Sequence, residues 1–123
     1  MEEVWTPISG YENYYEVSNY GRVRSLDRVL VRKDGRFYRR SGQIMKPQKN
    51  KQNCLLQVML LSHSRCRLFY VHRLVAEAFL EMPMDKNARC VTHIDGNPHN
   101  NYVGNLKYVT LGECQKINKK KVQ

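Results

Sequence analysis

Hydrophobic positions along this chain change period repeatedly, and each change predicts an element. Residues 14–18, YYEVS, read as a short strand, Asn19-Tyr20-Gly21 as a turn in which Gly21 can take positive φ, and RVRSLDR as a second, alternating strand. Val23 and Leu26 fall on different faces, so this hairpin is not cleanly amphipathic, whereas Arg22, Arg24 and Arg28 share one face at period two. Asp34-Gly35, between VLVRK and RFYRR, predicts a hairpin with a two-residue turn. Residues 41–53 are polar and interrupted by Pro47, as in a connecting loop with a basic tip at Lys46, Lys49 and Lys51.

From Cys54 the run CLLQVMLLS is too apolar for a surface strand, and with RLFYVH beyond the polar SHSR it predicts a buried hairpin. HRLVAEAFL then places Leu74, Val75, Ala78 and Phe79 at helical spacing, and Pro83 stops the helix. The stretch CVTHIDGNPHNNYVGNLKYVTLGECQKINK opens with an apolar run ending in His93. It crosses a loop rich in Asp, Gly, Asn and Pro, returns as LKYVT and becomes helix-compatible near Leu111. Strand, long turn, strand and helix follow one another, and the chain as a whole is expected to be α+β.

Length and charge narrow the partners. At 123 residues the chain is one compact body. Lys and Arg number 21 against 11 for Asp and Glu, a net charge of +10 spread over most of the sequence, and nucleic acid is the expected polyanion. The arginine face of the first hairpin suits a phosphate backbone, with a solvated edge strand carrying guarding charges as the alternative; the excess continuing through Arg32, Lys33, Arg36, Arg39 and Arg40 favours DNA. Cys54, Cys66, Cys90 and Cys114 lie 12, 24 and 24 apart without a C-x-x-C pair, which argues against structural zinc. No signal peptide is recognisable and no apolar run approaches the roughly 20 residues of a membrane span, so reduced thiols in a cytoplasm are expected.

Two stretches resemble a known family. Trp5, Pro7, Ile8, Gly10, Tyr11, Tyr15, Val17, Ser18, Gly21, Val23, Arg24 and Ser25 fall where the nuclease-associated modular domain of type four has them. That module precedes HNH domains in phage and intron-encoded endonucleases, and the stretch from Cys90 resembles the HNH ββα-metal (His-Me) finger itself. VHRLVAEAF is similar to the lead-in helix of the same subfamily, so the likeness spans nearly the whole chain. The resemblance implies N-terminal β-hairpins in a modular DNA-binding region over 1–53, followed by a ββα-metal nuclease region over 54–123.

It also implies roles. His93 would be the general base, Asn105, 12 residues on, would brace the hairpin, and Cys114, 21 residues on, would occupy the metal-holding helix position. The other family ligand precedes the base and is here Thr92. A neutral imidazole with a pKa near about 6.5 suits proton removal from water, and Mg²⁺ or Mn²⁺ prefers oxygen ligands. A thiol is soft and mostly protonated at neutral pH, so any such ion is expected to be weakly held. Asp95 shares a strand face with His93 and can supply a carboxylate, although Asp95-Gly96 also reads as a turn, which is the favoured role.

His72 is expected to pack, while His63 and His99 are expected to meet solvent or phosphate. Lys119 and Lys120, with Arg22, Arg24, Arg28 and Arg36, are the candidate DNA contacts, an exposed basic tail being the alternative for the lysines. The expected function is metal-dependent DNA hydrolysis. A degenerate module that binds DNA or a host protein without cutting is the rival that Thr92 and Cys114 motivate. A ribosome-associated basic protein would explain the charge and leave the pattern from 93 to 114 unexplained.

Overall fold

The computed structural model describes residues 2–62 and 65–112. Strands β1 (Trp5–Pro7), β2 (Tyr15–Ser18) and β3 (Val23–Ser25) form an antiparallel sheet in that order. Strands β4 (Arg28–Val31) and β5 (Phe37–Arg40) make a separate two-stranded ribbon. A third sheet joins β6 (Gln48–Lys49), β7 (Leu56–Ser62) and β8 (Arg65–Tyr70). Helix α1 (Val71–Phe79) follows directly, and β9 (Cys90–His93) pairs antiparallel with β10 (Leu106–Val109). The fold is α+β, with N-terminal hairpins leading into the helix and the β9–β10 hairpin.

Helix α1 organises the core. Val71, Leu74 and Val75 recur at helical spacing and are buried together with Ala76, while β2, β7, β8, β9 and β10 all pack on the helix. Val17 and Val23 from the first sheet, Val58 and Leu60 from the third, and Val91 and Leu106 from the last hairpin close around it. Burying each such aliphatic side chain contributes about 1.5–3 kcal/mol. The helix ends at Leu80, whose extended backbone breaks the ladder while its N–H still donates to the Ala76 carbonyl at 2.9 Å. A further tie crosses the core where the Leu61 N–H donates to the Tyr15 hydroxyl at 3.2 Å.

Three expectations are corrected. The predicted second strand is split: the Leu26 N–H turns back to the Tyr14 carbonyl, and the Asp27 carboxylate takes the Gly42 N–H and the Arg39 guanidinium. Arg22 and Arg24 therefore stand over Trp5, whereas Arg28 starts the next ribbon and lies over Tyr14 and Tyr15, so the three share no face. The Asp34-Gly35 hairpin forms, but with a longer turn. Arg32 and Arg36 still pair, the Gly35 N–H donates to the Arg32 carbonyl, and Gly35 at φ 86° absorbs the left-handed residue that a three-residue loop requires.

The β7–β8 hairpin, finally, is buried on one face alone. Val58 and Leu60 point into the core, but Met59, Leu61 and Leu68 are 47%, 42% and 51% exposed. An apolar run gives no period with which to tell a covered face from an open one. Leu60→Ala is accordingly expected to cost about 2–5 kcal/mol, and Leu68→Ala well under about 1 kcal/mol, in urea unfolding. Equal losses would show that the outer face is covered as well.

Candidate active site

Strands β9 and β10 pair His93 with Leu106, Thr92 with Lys107 and Val91 with Tyr108. Directly opposed residues share a face, so His93 lies on the side of Val91 and Leu106, toward α1, and Thr92 on the other. The loop between the strands folds on Asn105. Its side-chain oxygen accepts the Asp95 N–H, and its amide donates to the Asp95 carboxylate and to the Asn100 carbonyl, each at 2.9 Å. Its backbone carbonyl takes the Ile94 N–H at 2.7 Å. Asn105 thus satisfies loop groups that no strand partner reaches.

Asp95 is the partner around which this loop turns. Its carboxylate accepts from the Asn97 N–H and from the amides of Asn100 and Asn105. These bonds, that from Asn100 foremost, hold its carboxyl down to about 2. His99 ties the loop outward, its Nε2 lying 3.0 Å from the Cys54 carbonyl.

His93 is buried, and its Nε2 lies 2.7 Å from Oδ1 of Asn101, itself only 4% exposed. An amide oxygen can only accept, so Nε2 carries the hydrogen and the lone pair of the neutral ring resides on Nδ1. Behind it stands His72, 6% exposed, with ring centroids 5.1 Å apart. Burial first, and then the nearness of His93 and Arg73, lower the His72 pKa to about 4. His72 is therefore neutral at cellular pH and places no fixed positive charge against His93.

Neither Asn101 nor the closeness of His72 was readable in the sequence: the loop offers several asparagines, and the two histidines meet only through tertiary packing. Asn101 is one residue from Asn100, and only the direction of the chain separates their roles.

The structure gathers His93, Asn105, Asp95 and Thr92 around one hairpin. Cys114, Lys119 and Lys120 lie outside the described residues. Among the described residues no group of His, Cys, Asp or Glu could hold a metal ion. Thr92 is buried on the strand face away from His93, and the Asp95 carboxylate is engaged by three donors. Among the described residues, these donors by themselves do not make up a divalent-cation site.

The arginines lie elsewhere and differ in what they have left to offer. Arg22 pairs with Glu3, whose carboxyl it holds low, and Arg24 with Glu16, both guanidiniums flanking Trp5. Arg36, at the ribbon tip, keeps only a 3.9 Å approach to Asp34, with its side chain 85% exposed.

A finger of two strands and an asparagine-braced loop, presenting a histidine at a strand end, defines an HNH-family nuclease fold. The NUMOD4 motif matches residues 3–60, and the chain is similar to HNH homing-type endonucleases that carry such a module at the N-terminus. It is 37% identical over 114 residues to the DNA endonuclease I-HmuI of Bacillus phage SP01, covering 93% of this chain and 54% of that protein. The solved structure of that HNH homing endonuclease superposes with a TM-score of 0.70 at 36% identity, over 98% of this chain and 57% of the other. An uncharacterized HNH endonuclease of Acanthamoeba polyphaga mimivirus is 37% identical over 89 residues, 72% of this chain and 26% of its own length. The chain thus spans about half the length of the phage relative and about a quarter of the viral one. No described helix is long and apolar enough to cross a membrane.

The lowered His72 pKa sets a pH dependence. The unfolded chain takes a proton near 6.5 that the folded state refuses down to about 4, so this stabilisation is complete above pH 6.5 and lost as the pH falls between those values. Its size is on the order of 3 kcal/mol. His72→Phe is expected to flatten the urea midpoint over that window, and an unchanged slope would move the effect to another group.

Proposed function

We propose that the chain hydrolyses DNA phosphodiester bonds, with His93 as the general base. The observation that carries this reading is the bond from His93 Nε2 to Asn101, which directs the basic lone pair to Nδ1. Water adds its oxygen to phosphorus and gives a proton to His93, while the bond to the 3′ oxygen breaks and that oxygen takes a proton from solvent. Asn105 keeps the hairpin closed so that His93 and the phosphate can meet. Asp95 acts through the turn. We further propose action in the cytoplasm of a host cell, where exposed Cys54 and Cys66 stay reduced.

The ribbon supports DNA as the substrate. Arg28 opposes Arg40 and Arg32 opposes Arg36, so four guanidiniums fall on one face with Leu30 and Tyr38. A two-stranded ribbon has the width to enter a major groove, and such a face gains affinity by releasing counterions. Arg22 and Arg24 would contribute at its edge, with part of their charge neutralised by Glu3 and Glu16.

A second reading, a module that binds DNA or a host protein without cutting, is motivated by the residue types at the family's two ligand positions: Thr92 offers a weakly ligating hydroxyl and Cys114 a soft thiol. The family's use of Mg²⁺ or Mn²⁺ points to Thr92 and Cys114 as the positions where substitution should create a fit, because both want oxygen ligands there.

Plasmid nicking with Mg²⁺ or Mn²⁺ separates the readings. The nuclease reading expects nicking by the wild type, its loss in His93→Ala, unchanged DNA affinity, and more nicking with Mg²⁺ in Thr92→Asp combined with Cys114→Asn. Cutting by His93→Ala at the wild-type rate would remove His93 from the mechanism, and tight DNA binding with no cutting by any of these proteins would favour the second reading. On the ribbon, Arg28→Ala and Arg36→Ala should each lower the slope of log K against log salt by about 0.9. An unaltered slope would place the ribbon off the DNA.

A further inference from the structure

The loop that holds Asn101 is supported from a part of the chain more than eighty residues away (from 19 to 103). The β2–β3 turn lies against it. A Cβ on Gly21 would come within 2.8 Å of the carbonyl carbon, carbonyl oxygen and Cβ of Asn101, which leaves no room for a side chain between the two backbones. Gly21 also has φ 89°, which side-chain-bearing residues rarely adopt. Within two residues of it the contact is fixed again: the Tyr20 and Tyr102 rings meet at 6.0 Å, and the Val103 N–H donates to the Asn19 carbonyl at 2.9 Å.

The turn is itself stiff. Ser18 is fully buried, and its hydroxyl takes the N–H groups of Tyr20 and Arg22. Its backbone closes the hairpin with Gly21 and Arg22. The Asn19 side chain accepts the Val4 N–H at 2.8 Å and donates to the Glu2 carbonyl at 3.2 Å, anchoring the turn to the start of the chain. On the far side Asn105 holds the Asn100 carbonyl. Asn101 is therefore clamped between the N-terminal turn and the hairpin brace, with its side chain on His93.

We propose that Asn101 is a positioning residue for the base and that the Asn19–Gly21 turn of the N-terminal module sets its place. The inference rests on His93 being the base. Without the Asn101 oxygen, nothing in this bond selects the Nε2–H tautomer, and the ring can turn its lone pair away from the phosphate. A shift of about 1 Å in such a group costs on the order of a hundredfold in rate. The module thus serves the chemistry as well as the hold on DNA.

The test is ¹⁵N NMR of the histidine-labelled full chain at alkaline pH, where imidazole is neutral. It needs no catalysis, so its outcome is independent of whether the protein cuts. Wild type is expected to show His93 as the Nε2–H tautomer, and Asn101→Asp, which keeps the acceptor, to retain it. Asn101→Leu and Gly21→Ala are expected to show a tautomer mixture, and Tyr20→Ala, at an exposed ring, a smaller shift in the same direction if Gly21→Ala does not fold. An Nδ1–H form in wild type, or an unchanged tautomer in Asn101→Leu, overturns the role of Asn101. An unchanged tautomer in folded Gly21→Ala, or in Tyr20→Ala where the glycine variant is lost, overturns that of the turn. Where plasmid nicking is measurable, kcat should fall about tenfold or more in Asn101→Leu with DNA affinity held within about twofold. Cutting by His93→Ala would instead sink the assignment of the base and leave the NMR result standing.

Discussion

The docking of the β2–β3 turn onto the loop from Asn101 to Val103 is the contact on which the site depends. Residues 94–105 contain few apolar groups, and beyond Val103, which packs against the core, and Tyr102 against Tyr20, hydrophobic burial does little to hold them. Their backbone donors and acceptors must be satisfied one at a time. Asn105 does this from inside the hairpin and Asn19 from outside it, through the Val103 N–H. Between them Asn101 reaches His93, while α1 sets the buried ring of His72 against it. An HNH finger by itself would present the histidine; the N-terminal module completes its surroundings.

The charges divide in the same way. Arg22 and Arg24 are drawn into the fold by Glu3, Glu16 and Trp5, each contact individually worth little at the surface but together closing the first sheet. On the ribbon, Arg28 lies over Tyr14 and Tyr15 and Arg39 pairs with Asp27, whereas Arg36 reaches outward at the tip with its charge available to a polyanion. Around His93, His72 stays neutral and Asp95 stays ionised, so the buried ring facing it from α1 adds no charge of its own.

Much of this was legible in the residues. Tyr15 to Ser18, the valines and leucines of α1, and the pairing of CVTH with LKYVT announced themselves by period, and His93 and Asn105 by position within a family pattern. The turn at Asp34-Gly35 was legible as a turn but not in its length, since one added residue costs nothing in composition. Burial of the β7–β8 hairpin was misjudged because both of its faces are apolar, and the one that meets α1 is chosen by the helix. The break at Leu26 and Asp27 was hidden because it is made by Tyr14, Arg39 and Gly42. Asn101 was hidden for the same reason: an asparagine among asparagines acquires its role from the turn that presses on it.

Amide hydrogen exchange at Val103 measures that contact most directly. If the N-terminal turn is part of the site, this N–H, bonded to Asn19 from a loop, should exchange only through global unfolding, with a protection free energy equal to those of Val17 and Leu60 in the core. Exchange at the rate of an open loop, while Val17 and Leu60 remain protected, would mean that the turn and the loop carrying Asn101 come apart in the folded protein, and would contradict the account.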